Sequence, residues 1–118
     1  MSPYDVVKNI NSKIKDDAIV TVDDGANLCW VFQAFHRTNQ IIYTAGGNSP
    51  MGYSFPAALG AAIHMQDRQI ICFTGDGSIQ MNIQDLQTMS HLKLPIKLFI
   101  LNNFGYGIIK QFQDTWFE

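Results

Sequence analysis

The chain has 118 residues, of which 47% are hydrophobic and 15% charged, and carries a formal net charge of -2. This balance suits one compact domain with a buried core and excludes a disordered chain. Its Lys and Arg residues form no basic stripe, which argues against nucleic acid, and no apolar run approaches the length of a membrane span.

The amino terminus, MSPYDVVKNI, lacks the apolar block of a signal peptide. Tyr4, Val7, Ile10 and Ile14 stand at helical spacing and predict a first helix over 4–14, started by Ser2-Pro3. AIVTV (18–22) predicts a buried strand that ends at Asp23-Asp24-Gly25, and residues 26–37 predict a helix with a broad apolar face. QIIYTA (40–45) is the next strand, followed by the small-residue loop Gly46-Gly47-Asn48-Ser49-Pro50. A third helix is expected over 51–65, interrupted near Pro56, with Ala57, Ala58, Gly60, Ala61 and Ala62 permitting close approach to a neighbour. QIICFT (69–74) lacks alternation, as a strand covered on both faces does. A fourth helix over 82–92 would place Ile83, Leu86, Met89 and Leu92 on one side, before the strand IKLFIL (96–101) and a fifth helix from Ile108. Cys29 and Cys72 both sit in apolar runs and read as small buried thiols, which fits a reducing, cytoplasmic setting.

Buried strands alternating with helices imply an α/β domain, an open parallel sheet with helices on both faces. The whole of 1–118 reads as one domain, incomplete at its carboxyl end because the sequence stops just after the fifth helix begins. In such a sheet ligands bind beyond the carboxyl ends of the strands, where the polar loops 23–27, 46–50, 75–78 and 102–107 fall. Asp76 and Asn102-Asn103 follow the last two strands of one βαβ unit, so their loops are expected side by side. A carboxylate and a carboxamide oxygen suit magnesium, which keeps phosphate and water oxygens in its shell. The glycines beside Asp76 leave N–H groups open to an anion, and a helix starting near Ser78 would point its positive end there. Taken singly, Asp76 and Asn103 read equally well as turn formers; the pair in this context does not.

GDGS at 75–78 and NN at 102–103, each following a strand, resemble the thiamine diphosphate motif. DDGANLCW (23–30), GGNSPMGYSFPAALGAA (46–62), GDGSIQMNIQDLQTM (75–89) and NNFGYGIIKQFQDTWFE (102–118) are similar to the carboxy-terminal domain of acetolactate synthases. The resemblance implies thiamine diphosphate and Mg²⁺ as cofactors. It assigns the metal to Asp76, the Asn103 side chain and the carbonyl of Gly105. The diphosphate would lie against Gly77, Ser78 and the backbone of Gly25, Ala26 and Asn27. Met51 would support the bent cofactor, and the carbonyl of Ser49 would accept from its aminopyrimidine. Ile109 and Phe112 would face a small 2-keto acid. A bent cofactor needs a bulky, unbranched apolar support, and Met is one of few residues that provides it.

Four positions depart from that pattern. Asn27 stands where His is common, Ala26 where Gln is common, Ser49 in place of Gly, and Phe112 where a Trp shapes 2-keto acid preference. The family also needs a glutamate on a separate pyrimidine-binding domain, and the one glutamate here is Glu118, at the end of the chain. That domain is therefore expected from the same or another chain, with a homo-oligomer as the assembly and little activity in these residues alone. Carboligation of the acetolactate synthase type leads, and simple 2-keto acid decarboxylation is the alternative. A nicotinamide fold fails because Gln80 replaces the third glycine of its motif and Asn102 the acid that would hold the ribose. His36, His64 and His91 have no partner at ligand spacing and read as surface residues. A non-catalytic assembly module is permitted by the aromatic tail of Phe104, Tyr106, Phe112, Trp116 and Phe117.

Overall fold

Four apolar runs pair into one fully parallel sheet in the order β2-β1-β3-β4. The strands are β1 (Ile19–Val22), β2 (Ile41–Tyr43), β3 (Ile70–Gly75) and β4 (Ile96–Leu101). The computed structural model describes residues 1–117, and Glu118 lies outside them. Helices cover both faces, because neighbouring residues of a strand point to opposite sides. Ile19, Ile70 and Cys72 pack with Phe55, Ala58, Leu59 and Ala62 of α3 (Ser54–His64). Val20, Val22, Ile71 and Phe73 pack with Val7 of α1 (Pro3–Asn11) and Val31 of α2 (Ala26–Ala34). The run IICFT of β3 is buried throughout, as expected of a strand covered on both sides.

The helix boundaries differ from the expectations for local reasons. α1 starts as expected, with Ser2 and Asp5 forming a reciprocal capping box and Pro3 in the first turn, but ends at Asn11. α2 stops at Ala34, because Phe35 turns extended and the Asn11 side chain takes the His36 N–H at 2.7 Å. α3 starts at Ser54 and is not interrupted: Pro56 sits in its first turn, where no intrahelical N–H partner is lost. Ala58 and Ala62 meet the sheet, whereas Gly60 faces open space and brings no neighbour close.

The fourth helix is also redistributed. A short helix α4 (Asp76–Ile79) follows β3 at once, then a 3₁₀ turn over Gln80–Asn82, then α5 (Asp85–His91). Ile79, Gln80, Ile83 and Gln84 have φ near -60 and ψ between -29 and -26, so the path stays right-handed with 3₁₀ character. Met89 packs on the core, but Ile83, Leu86 and Leu92 are exposed. The last helix, α6 (Gly107–Trp116), buries no residue. No helix among the described residues is long and apolar enough to cross a membrane.

The two thiols part company. Cys72 is buried beneath α3, but Cys29 lies exposed on the outer side of α2, against the expectation that both are buried. Burial pushes the Cys72 thiol up to about 11. In the folded protein at about pH 8, a maleimide is expected to modify Cys29 at least about a hundredfold faster than Cys72. Mass mapping of the labelled peptides checks this; equal rates would contradict the packing.

Candidate functional site

The chain steps from β1 outward to β2, then crosses back so that β3 and β4 lie on the other side of β1. The order reverses between β1 and β3, which is where open α/β sheets bind ligands beyond their carboxyl ends. A cleft open to solvent occupies this place. From the β1 loop it is lined by Gly25, Ala26 and Asn27; from the β3 loop by Asp76, Gly77 and Ser78; from the β4 loop by Asn103 and Gly105. Met51 and Ile109 also line it. Two expected residues do not: Ser49 lies in the bend before Met51, and Phe112 is one turn further out on α6, 57% exposed.

The β1 loop turns at Gly25, whose φ of 100 favours glycine, and α2 starts at the next residue. The first N–H groups of α2 have no intrahelical acceptors and stand at the cleft. Asn27 is buried, and its Nδ2 donates to the Asp23 carbonyl at 2.9 Å. Its Oδ1 lies close to both Gly25 and Gly75, where a Cβ would stand 3.3 and 3.6 Å from it.

The loops after β3 and β4 meet as expected. The Asn103 N–H lies 3.4 Å from Asp76 Oδ1. The two asparagines divide their work. Asn102 Oδ1 accepts from the N–H of Phe104 at 2.8 Å and so holds the turn, in which Phe104 has a φ of 63. Asn103 reaches the cleft, where its Oδ1 accepts a longer bond from Gly105 N–H at 3.3 Å. The Gly105 carbonyl accepts from Gly107 N–H at 3.1 Å and keeps a second lone pair. One carboxylate and two neutral oxygens form a donor set that fits a hard divalent cation completed by phosphate and water oxygens. The helix expected near Ser78 starts instead at Asp76 and has only four residues before a 3₁₀ turn, so the positive end it points here is that of a single turn.

Tyr106 closes one side of the β3 loop. A Cβ built on Gly77 would stand 2.4 Å from Tyr106 Cε1, so only glycine lets that ring lie on the loop backbone. Tyr106 was expected only as part of the aromatic tail; its place here had no signature beyond the neighbouring glycines. Trp30 of α2 also lines the cleft unannounced, since its position in the helix reads as ordinary core.

Met51 rides on a tight bend. Ser49 has a φ of 41 and Gly52 a φ of 85. The left-handed φ of Ser49 explains why glycine suits that position better. A Cβ on Gly52 would meet Met81 Cβ at 2.6 Å and Asn82 Nδ2 at 2.7 Å. Gly52→Ala therefore combines a left-handed strain with overpacking, and is expected to destabilise the fold by about 2–4 kcal/mol. Urea unfolding checks this; a loss below about 1 kcal/mol would mean the bend is free to relax.

Residues 23–118 match the family model described as thiamine pyrophosphate enzyme, C-terminal TPP binding domain. The chain belongs to this thiamine pyrophosphate enzyme family. The family match begins at Asp23, the first residue after β1, and takes in every loop of the cleft. Among curated relatives, the acetolactate synthase isozyme 1 large subunit of Escherichia coli K12 is 38% identical over 120 residues, covering 100% of this chain and 21% of that protein. The acetolactate synthase large subunit of Parasynechococcus marenigrum WH8102 is 40% identical over 102 residues, covering 86% and 16%. That of Lactococcus lactis subsp. lactis IL1403 is 32% identical over 117 residues, covering 98% and 20%. The chain thus spans about a fifth of the length of the relatives it matches.

Proposed function

We propose that these residues hold the diphosphate of thiamine diphosphate through Mg²⁺, within an enzyme that joins 2-keto acids in the manner of an acetolactate synthase. The observation that carries this reading is the meeting of Asp76 and Asn103 at the ends of adjacent strands, in a cleft that Met51 also lines. Asp76, Asn103 and the Gly105 carbonyl hold the cation. Gly77, Ser78 and the amides of Gly25, Ala26 and Asn27 hold the phosphate oxygens. When bound, thiamine diphosphate supplies the electron sink that a 2-keto acid needs to lose CO₂.

The chain's own residues orient the bound groups. Met51 would support the middle of the cofactor, and the carbonyl of Ser49, in the bend before it, would accept from the aminopyrimidine. Tyr106 and Trp30 form part of the cleft wall. Ile109, and Phe112 once α6 is covered, face the substrate. The activating glutamate comes from a pyrimidine-binding domain, in the same or another chain, so the single domain 1–118 is inactive alone and works in a homo-oligomer.

The full-length enzyme with Mg²⁺ and thiamine diphosphate is expected to convert pyruvate to acetolactate and CO₂. Product analysis checks this. Acetaldehyde without acetolactate would replace the reading by simple decarboxylation, and no turnover with intact cofactor binding would favour an assembly role.

A further inference from the structure

Asp23 is completely buried, and it has no cation within ion-pair distance among the described residues. Its carboxyl group instead gathers hydrogen bonds from three segments. Oδ1 accepts from Asp24 N–H and from Gly52 N–H, both at 2.9 Å. Oδ2 accepts from the Ser54 hydroxyl at 2.7 Å, from Ser54 N–H at 3.2 Å and from the Thr74 hydroxyl at 3.3 Å. A buried group of this kind is costly unless its bonds are made, so the arrangement is strongly specified.

The partners lie at informative places. Gly52 directly follows Met51 and Ser54 lies three residues after it, Thr74 lies two residues before Asp76, and Asp23 itself lies two residues before Gly25. α3 has no side-chain cap at its own N-cap, Tyr53, and the free N–H of Ser54 is satisfied from across the chain by Asp23. From the other side, the Asn82 side chain donates to the Gly52 carbonyl. The Met51 bend is thus tied to the ends of β1 and β3, from which the phosphate-facing loops leave.

We propose that Asp23 is a positioning residue that sets the height of Met51 above the phosphate-holding loops, and so the bend of the bound cofactor. This role rests on the thiamine diphosphate reading above. Asp23 touches neither cofactor nor substrate; it acts through the Gly52 and Ser54 amides on the residue between β2 and α3.

Asp23→Asn is the informative change. It keeps the shape, but in either orientation its NH₂ group opposes a backbone N–H, of Gly52 on one side or Ser54 on the other. In the full-length enzyme, amide exchange at Gly52 and Ser54 is expected to rise by about tenfold or more, while Gly75–Ile79 stays unchanged. The Kd for thiamine diphosphate with Mg²⁺ is expected to shift by less than about threefold, while proton exchange at the thiazolium C2 of the bound cofactor slows by about tenfold or more. Combined with Met51→Ala, the change should add less than about twofold to the loss in C2 exchange, since both act on one support. Ser54→Ala, which keeps Asp23 and removes one donor, is expected to move the same readouts less far, and carries the test if Asp23→Asn fails to fold. Unaltered C2 exchange in a folded variant, or losses that simply multiply with those of Met51→Ala, would overturn this role alone. A wild-type enzyme that binds no thiamine diphosphate would overturn the functional reading and this role with it.

Discussion

Asp76→Ala is expected to weaken Mg²⁺-dependent binding of thiamine diphosphate by about a hundredfold or more, equivalent to about 2.7 kcal/mol, with the fold intact. Asp76 brings the only charge to the proposed donor set, opposite a cation and a diphosphate. Without it, the cation relies on two neutral oxygens and phosphate. The structural cost is small. Asp76 is partly exposed, and among the described residues its one hydrogen bond across the loops is the long one from Asn103 N–H. Asp76→Asn keeps an oxygen but loses the charge, and should fall between wild type and alanine. Cofactor retention on gel filtration, followed beside thermal unfolding, separates the two effects. A matched loss of binding and stability would make Asp76 a turn former.

Met51→Ala is expected to act on turnover rather than on binding. The proposed diphosphate grip lies in other loops, so affinity should change by less than about tenfold. The support under the cofactor's middle disappears, and misplacement by about 1 Å costs about a hundredfold in rate. A fall of that size in kcat is the expected result. Met51 is only partly buried, so the stability loss should stay below the ~2–5 kcal/mol of a core Met→Ala change. Met51→Leu retains bulk and should recover most of the rate. If Met51→Ala kept full kcat, the residue would be ordinary packing.

The sheet and its four polar loops were legible from apolar runs set between polar turns; β1 and β3, buried almost throughout, are unbroken, whereas β4 carries the exposed Lys97. IICFT and IKLFIL announce β3 and β4 without ambiguity, and one intervening helix makes them neighbours. The division between the asparagines was legible only through the family resemblance, which singled out Asn103; as residue types both are equally good turn formers, and geometry turns Asn102 into the loop and Asn103 into the cleft. The early end of α2 depends on Asn11, whose side chain reaches across from α1. Cys29 was misjudged because an apolar run in a helix also has an outer side. Asp23 escaped notice for a related reason. Beside Asp24-Gly25 it reads as a turn residue, and its partners Gly52, Ser54 and Thr74 come from segments far along the chain. An acid directly closing a wholly buried strand was the available signal.

The coordination of a divalent cation by the tips of β3 and β4 is tested most directly by anomalous diffraction from crystals of the full-length enzyme grown with Mn²⁺ and thiamine diphosphate. The expected result is one ion per cleft, about 2.0–2.3 Å from an Asp76 carboxylate oxygen, from Asn103 Oδ1 and from a phosphate oxygen. An ion bound elsewhere, or a diphosphate seated in the cleft with no metal between it and Asp76, would contradict it.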